Sequence, residues 1–231
     1  MKRFTLIGII ILASTLALKA QSSYSLQSSL DFFQSYDRIS RNHTGNAVKD
    51  NIDGSPYLNE EFIEGTIYTY QKVQFEGIPL RYNIYLDDLE FRTPDNDILA
   101  LATPEIVEKA VVGEYNLSYI PYMLANRMKR GYFILLKEGD LSLYARPVIS
   151  FQEAEAAGAY AEAQPAKYVE QPNDYYLRFG MDAAIKIETK KDLENAFSDH
   201  QKEIESFIKK NKVKPNKEDK LIALVEYYNS L

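Results

Sequence analysis

Leu80, Tyr82, Ile84 and Leu86 alternate with Arg81, Asn83 and Tyr85, a period-2 pattern with one apolar face that predicts a half-buried strand. Comparable runs at Phe62–Tyr70, Leu89–Arg92, Ile98–Ala102, Lys109–Val112, Tyr115–Tyr122, Gly131–Lys137, Leu141–Arg146 and Val148–Phe151 extend the expectation to a β-domain over residues 60–151. Between these runs lie Glu76-Gly77, Asp87-Asp88, Pro94-Asp95-Asn96-Asp97, Gly113-Glu114 and Glu138-Gly139-Asp140, residues that favour turns. Such short connections imply antiparallel neighbours, because a parallel crossover needs a dozen or more residues. No helix-length apolar period interrupts this region, which argues against an alternating strand–helix fold.

The pattern changes on both sides. Residues 21–59 form a polar N-terminal segment in which only Leu26, Leu30 and Phe33 keep helical spacing. Residues 152–173 are rich in Ala and Glu and punctuated by Gly158, Pro165 and Pro172, which predicts a linker or long loop. Residues 174–188 then offer two closing strands, Tyr175–Phe179 and Ala184–Glu188, around Gly180-Met181-Asp182. From 189 to 231 the period becomes helical. Leu193, Phe197, Ile204 and Ile208 form one stripe, broken at Ser198-Asp199, and Leu221, Leu224, Val225 and Tyr228 form a second, with Asn216 as N-cap. The fold class expected is α+β and mainly β: an antiparallel meander sheet or partly closed barrel, followed by a C-terminal helical hairpin.

Residues 1–20 stand apart. Lys2 and Arg3 precede an apolar run from Phe4 to Leu18, closed by Ala20, the three-part pattern of a secretory signal peptide. The run is short for a spanning helix and is soon followed by polar residues, so no membrane span is expected after cleavage. A periplasmic or secreted location follows as the expectation. The chain has no cysteine, which excludes disulfides, thiol nucleophiles, Cys-ligated metals and a lipid-modified cysteine anchor. Its formal charge is −6, and three cations leave with the leader. An acidic balance of this kind gives no general affinity for nucleic acid or anionic lipid. An outer-membrane barrel fits poorly, because charges such as Arg81 and Lys137 sit within short strands.

Four segments carry a resemblance: Ile78-Pro-Leu-Arg-Tyr-Asn-Ile-Tyr-Leu-Asp-Asp-Leu-Glu-Phe91, Gly54-Ser-Pro-Tyr-Leu-Asn59, the Gly131-Tyr-Phe-Ile-Leu-Leu run, and Leu224-Val-Glu-Tyr-Tyr-Asn-Ser-Leu231. Together they resemble an uncharacterised family of exported proteins from Bacteroidota. The resemblance covers most of the mature chain. It implies export and the strands-then-helices order, and it implies no activity, ligand or catalytic residue.

Residue chemistry narrows the function classes. The only histidines are His43, in a polar loop, and His200, in a Lys-rich helical region, and neither has a nucleophile at useful spacing. Gly-x-Ser-x-Gly and phosphate-loop patterns are missing. Lys49–Glu60 places Asn51, Asp53, Gly54 and Glu60 at calcium-loop spacing, but Lys49 stands where the ion needs a carboxylate, leaving at most an irregular cation site from Asp50, Asp53 and Glu60. Two carboxylate clusters, Glu60-Glu61-Glu64 and Asp87-Asp88-Glu90, offer a glycosidase-like pair only if the fold brings them together; as turn-forming and edge-protecting acids they need no such role. Lys209, Lys210, Lys212, Lys214, Lys217 and Lys220 suit a helix end and the turn after it.

The real excess is tyrosine, eighteen residues with eleven Phe and no Trp. Tyrosine joins an apolar body to a polar tip, which suits a half-buried sheet and equally a recognition surface. Tyr82, Tyr85, Tyr119, Tyr122 and Tyr144 are the candidates for such a surface. The expectation is therefore a non-catalytic binding or interaction module without a cofactor, contacting an envelope protein, a glycan or an apolar ligand. A barrel carrier of a small apolar ligand and a carboxylate- or metal-dependent hydrolase stand as alternatives.

Overall fold

The computed structural model describes residues 52–157 and 162–231, together with the backbone pairing of β1 (Ser23–Tyr24) and β2 (Ile39–Ser40). The expected signal segment, the Leu26–Phe33 spacing, His43 and Asp50 lie outside the described residues.

The alternating runs fold as β3 (Ile52–Asp53), β4 (Ile63–Thr69), β5 (Gln74–Asn83), β6 (Asp88–Arg92), β7 (Ile98–Leu101), β8 (Val107–Val112), β9 (Tyr115–Leu124), β10 (Arg127–Lys137), β11 (Leu141–Gln152), β12 (Ala166–Phe179) and β13 (Ile185–Ile187). They join one mainly antiparallel sheet in the order β13-β12-β11-β10-β9-β8-β4-β5-β6-β7-β2. Two short parallel pairings, β1 on β5 and β3 on β12, flank that path. Two meanders, β4–β7 and β8–β13, are thus fused through the β4–β8 pair.

The first meander curls. A flat sheet would hold β7 and β8 about 19 Å apart, four strand spacings. The connection between them spends three residues on a contracted 3₁₀ turn, Pro104–Ile106, so the strands bend toward each other. Ile67, Phe75, Ile78, Leu80, Leu89 and Val107 fill the concave side.

The second meander curls as well. At its far edge the Ala184 N–H donates to the Pro121 carbonyl at 2.8 Å, and the Met123 N–H donates to the Ala184 carbonyl at 2.9 Å. This single bridge, Ala184 to Tyr122, brings the residue before β13 back against β9 and partly closes a ring of five segments. The outward face of β11 and β12 is covered by α1 (Lys190–Asn195), α2 (Gln201–Asn211) and α3 (Glu218–Tyr228). Of the predicted apolar stripes, Leu193, Phe197, Ile204, Ile208, Leu221, Leu224 and Val225 are buried against Leu141, Leu143 and Leu177, and Tyr228 packs half-buried beside them. No helix among the described residues is long and apolar enough to cross a membrane.

The mainly β architecture with helices at the C-terminus matches the expectation, and several boundaries move. Residues 166–173, expected in a linker, are the first half of β12, paired with Val148–Gln152 of β11. Pro172 is tolerated because the ladder already breaks its register between Arg146 and Val148, around Pro147, which has no N–H to give. The alternation at Leu80–Leu86 overshoots: β5 ends at Asn83, whose side-chain oxygen accepts from the Leu86 N–H at 3.0 Å and turns the chain. β9 and β10 run past the expected ends, because Ala125 and Asn126 adopt φ of +48° and +61°, the two-residue hairpin geometry that matches strand twist. The first helical stripe is two helices, since His200 is left-handed (φ +49°) at the predicted break.

Candidate functional site

Register decides what faces the inside of the curled second meander. Ser118, Ile120 and Tyr122 of β9 share a face with Phe133 and Leu135 of β10. Ladder partners carry that face to Ser142, Tyr144 and Arg146 of β11 and to Arg178, Tyr176 and Asp174 of β12. The middle is apolar and filled: Ile120, Tyr122, Phe133, Tyr144, Tyr176 and Ala184 form one buried cluster. Its rings meet edge to face, with Phe133 4.8 Å from Tyr176 and 5.2 Å from Tyr122. Polar residues occupy both ends, so this small ring has two chemically distinct mouths.

One mouth opens into a cleft of about 470 Å³. Ser118, Ser142, Tyr144 and Arg178 make its floor, and all four are buried. The Arg178 Nε donates to the Asp182 carbonyl at 2.8 Å and its Nη2 to the Met181 carbonyl at 3.0 Å, fixing the guanidinium beneath the β12–β13 turn. The Tyr144 hydroxyl is close enough to Arg178 to feel its charge. Burial pushes the Tyr144 phenol above its ordinary range, and the neighbouring Arg178 opposes that shift without cancelling it. Tyr144 is therefore a neutral phenol whose own O–H is free to donate. The Ser142 hydroxyl donates to the Gly139 carbonyl at 3.0 Å. Tyr68, Tyr70 and Met181 line the cleft as well. Lys109 sits 4.9 Å above the Tyr68 ring, and Lys72 pairs with Glu108 at 2.8 Å. Tyr70 and Met181 are 47% and 75% exposed, so apolar surface reaches solvent at the rim.

The other mouth is locked. The Asp87 Oδ1 accepts from the Tyr82 hydroxyl at 2.8 Å and from the Tyr132 N–H at 3.1 Å. Its Oδ2 accepts from the Arg146 Nη2 at 3.0 Å, and the Arg146 Nη1 donates to the Tyr122 hydroxyl at 2.7 Å. The Arg146 guanidinium carbon also lies 4.7 Å from the Tyr122 ring. Burial raises the Asp87 carboxyl above its usual range, against the lowering effect of Arg146 and the hydrogen bonds. A Cβ on Gly131 would lie 2.5 Å from the Asp87 Oδ2, so the network closes on a residue without a side chain. Beside it, Lys186 bridges Asp174 at 3.0 Å and Glu188 at 2.6 Å.

The structure scatters the five tyrosines singled out in the sequence. Tyr82 is buried in the first core, and Tyr119 packs half-buried against it. Tyr122 and Tyr144 lie inside the ring, and Tyr85 alone is exposed, at 46%, beside Phe151 and Tyr168. Only Tyr144 reaches the cleft. Nor do the carboxylate clusters converge. Asp87 faces Tyr82 and Arg146, whereas Glu90, on the outer face, accepts from Arg81 at 2.7 Å and from Asn83 at 3.1 Å. The Glu60 carbonyl accepts from Arg81 as well, at 3.1 Å. Asp53 pairs with Lys167 at the start of β12. Among the described residues, no cluster of three or more His, Asp and Glu side chains has the geometry to hold a metal ion.

Sequence reading missed Ser118, Ser142 and Arg178. Their signal is the alternation Ser142/Tyr144 and Tyr176/Arg178 on paired strands, which becomes legible only once β9 and Ala184 are known to meet. No family model matches this chain, and no curated protein or solved structure does either.

Proposed function

We propose that this chain is an exported, non-catalytic binding protein of a bacterial envelope, and that its ligand is a saccharide held in the Tyr68–Tyr70–Tyr144 cleft. The carrying observation is the cleft itself, an open concavity of about 470 Å³ set on an otherwise filled ring. That volume falls in the ~300–1,000 Å³ range of small-ligand sites. Tyrosine rings on the walls offer flat faces to the C–H surface of a sugar ring, while Ser118, the Tyr144 O–H and the side chains of Gln74 and Glu138 offer partners for its hydroxyls. A filled ring leaves no interior for an apolar cargo, which favours a ligand at the mouth over a barrel carrier. The dispersed carboxylates favour binding over hydrolysis. The signal-peptide pattern and the resemblance to exported Bacteroidota proteins support the location.

A glycan array probed with the mature chain and with Tyr70→Ala tests this reading. Binding to a defined set of glycans, reduced at least tenfold in Tyr70→Ala, supports it. Binding that Tyr70→Ala leaves unchanged, or no binding on an array spanning bacterial and host polysaccharides, overturns it.

A further inference from the structure

Arg81, Arg146 and Arg178 are wholly or partly buried in the sheet, and the first two have an obvious counter-ion. Arg81 pairs with Glu90 at 2.7 Å and Arg146 with Asp87 at 3.0 Å. Arg178 is 7% exposed and meets no carboxylate within ion-pair distance among the described residues. A buried cation is costly unless paired, and two carbonyl dipoles do not supply a full negative charge. The chain is not short of anions, having thirty-three Asp and Glu. Among the described residues Arg178 nevertheless stands without a carboxylate partner, at the floor of a concavity lined by Tyr rings and hydroxyls.

Its geometry is that of a held fork. Nε and one Nη2 proton are spent on the turn carbonyls, which leaves three of the five guanidinium protons uncommitted among the described residues. A planar, pre-oriented guanidinium recognises carboxylate or phosphate oxygens through just such parallel donors. The Tyr144 O–H lies beside it as a further donor. At the rim, Lys109 adds a cation, whereas Lys72 and Glu108 neutralise one another. With Glu138, the lining carries three cations against two carboxylates, in a chain whose overall charge is −6.

We propose that the saccharide taken by this cleft is anionic, with a carboxylate or phosphate seated on Arg178 and the Tyr144 hydroxyl. The proposal rests on the cleft being the binding site. Backbone and side-chain NMR of the mature chain tests it, titrated with tetragalacturonate, its fully methyl-esterified form, glucose 6-phosphate and glucose at matched ionic strength. The expected result is saturable shifts at Ser118, Tyr144 and Arg178 with at least one anionic probe, and at least tenfold weaker binding of its neutral counterpart. The first pair identifies a carboxylate, the second a phosphate. Arg178 also braces a turn, so Tyr144→Phe and Arg178→Lys accompany Arg178→Gln. Tyr144→Phe should weaken the anion about tenfold with the fold intact, and Arg178→Lys should retain more affinity than Arg178→Gln. Equal affinity for charged and neutral probes at the cleft overturns the anion assignment and leaves the cleft reading standing. Absence of cleft shifts with all four probes overturns it as well, and the glycan array then decides separately whether the cleft reading falls with it.

Discussion

Asp87 and Arg146, 59 positions apart in the chain, form a 3.0 Å ion pair that joins the β5–β6 turn to the inside of β11. Asp87 reaches it from a left-handed backbone (φ +58°), a conformation costly for a non-glycine residue unless its surroundings hold it. Tyr82, the Tyr132 N–H and Arg146 provide that hold. The pair therefore couples the two meanders of the sheet and seals one mouth of the curled strands, leaving the opposite mouth as the open one.

Removing one partner should cost more than removing both. Asp87→Ala leaves the guanidinium of Arg146 partly buried without its anion, an expected loss of about 2–3 kcal/mol after allowing for partial exposure. Urea unfolding of Asp87→Ala, Arg146→Met and the double variant checks this; the double variant should lose less than the sum of the singles.

The same carboxyl sets a pH dependence. Its folded pKa is raised above the ordinary Asp value, so the native state holds this proton more tightly than the unfolded chain does. Its contribution to stability is thus fully present below the unfolded value and declines as pH rises through the folded one. The stability of the wild type relative to Asp87→Asn should fall as pH rises from the ordinary Asp value of 3.8 upward. Unfolding curves for both proteins across that range provide the check, and a rising difference would contradict the assignment.

Two neighbouring buried tyrosines should respond in opposite directions. The Tyr82 hydroxyl donates to Asp87, whereas the Tyr132 hydroxyl, 5.6 Å away ring to ring, has no partner among the described residues. Tyr82→Phe should cost about 1–2 kcal/mol. Tyr132→Phe should be neutral or stabilising by up to about 1 kcal/mol, because it removes an unsatisfied polar atom. Thermal melts of the two variants side by side decide it.

The helical layer is tied to the sheet by Asn229. Its side chain accepts from the Leu141 N–H and donates to the Leu141 carbonyl, both at 2.9 Å. Asn229→Ala should lower stability by about 1–3 kcal/mol. It should also speed hydrogen exchange at the Leu141 amide more than at Leu117, in the opposite core.

How much of this was legible in the sequence depends on how local each feature is. The helical stripes were, because Leu193, Ile204, Leu221 and Leu224 report their burial through spacing alone. Most strands were too, with errors where one residue overrides the pattern: Asn83 ends β5 through its own side chain, and Ala125-Asn126 make a hairpin turn from residues that do not advertise it. The linker was misread because Ala, Glu and Pro in residues 166–173 look like a loop, yet pairing with β11 outweighs that composition. The cleft was hidden for a different reason. Its floor combines β9, β11 and β12 residues that share a face through the ladder register and are drawn together where Ala184 returns to Tyr122, a non-local contact that no period encodes.

The central claim is that the Tyr144–Arg178 mouth is where this protein binds. A crystal structure of the mature chain with the tightest glycan from the array tests that most directly. The account predicts the sugar against Tyr68 and Tyr70, with an anionic group within hydrogen-bond distance of Arg178 and the Tyr144 hydroxyl. A sugar found instead on the exposed Tyr85–Phe151–Tyr168 cluster, with the cleft empty, would contradict it.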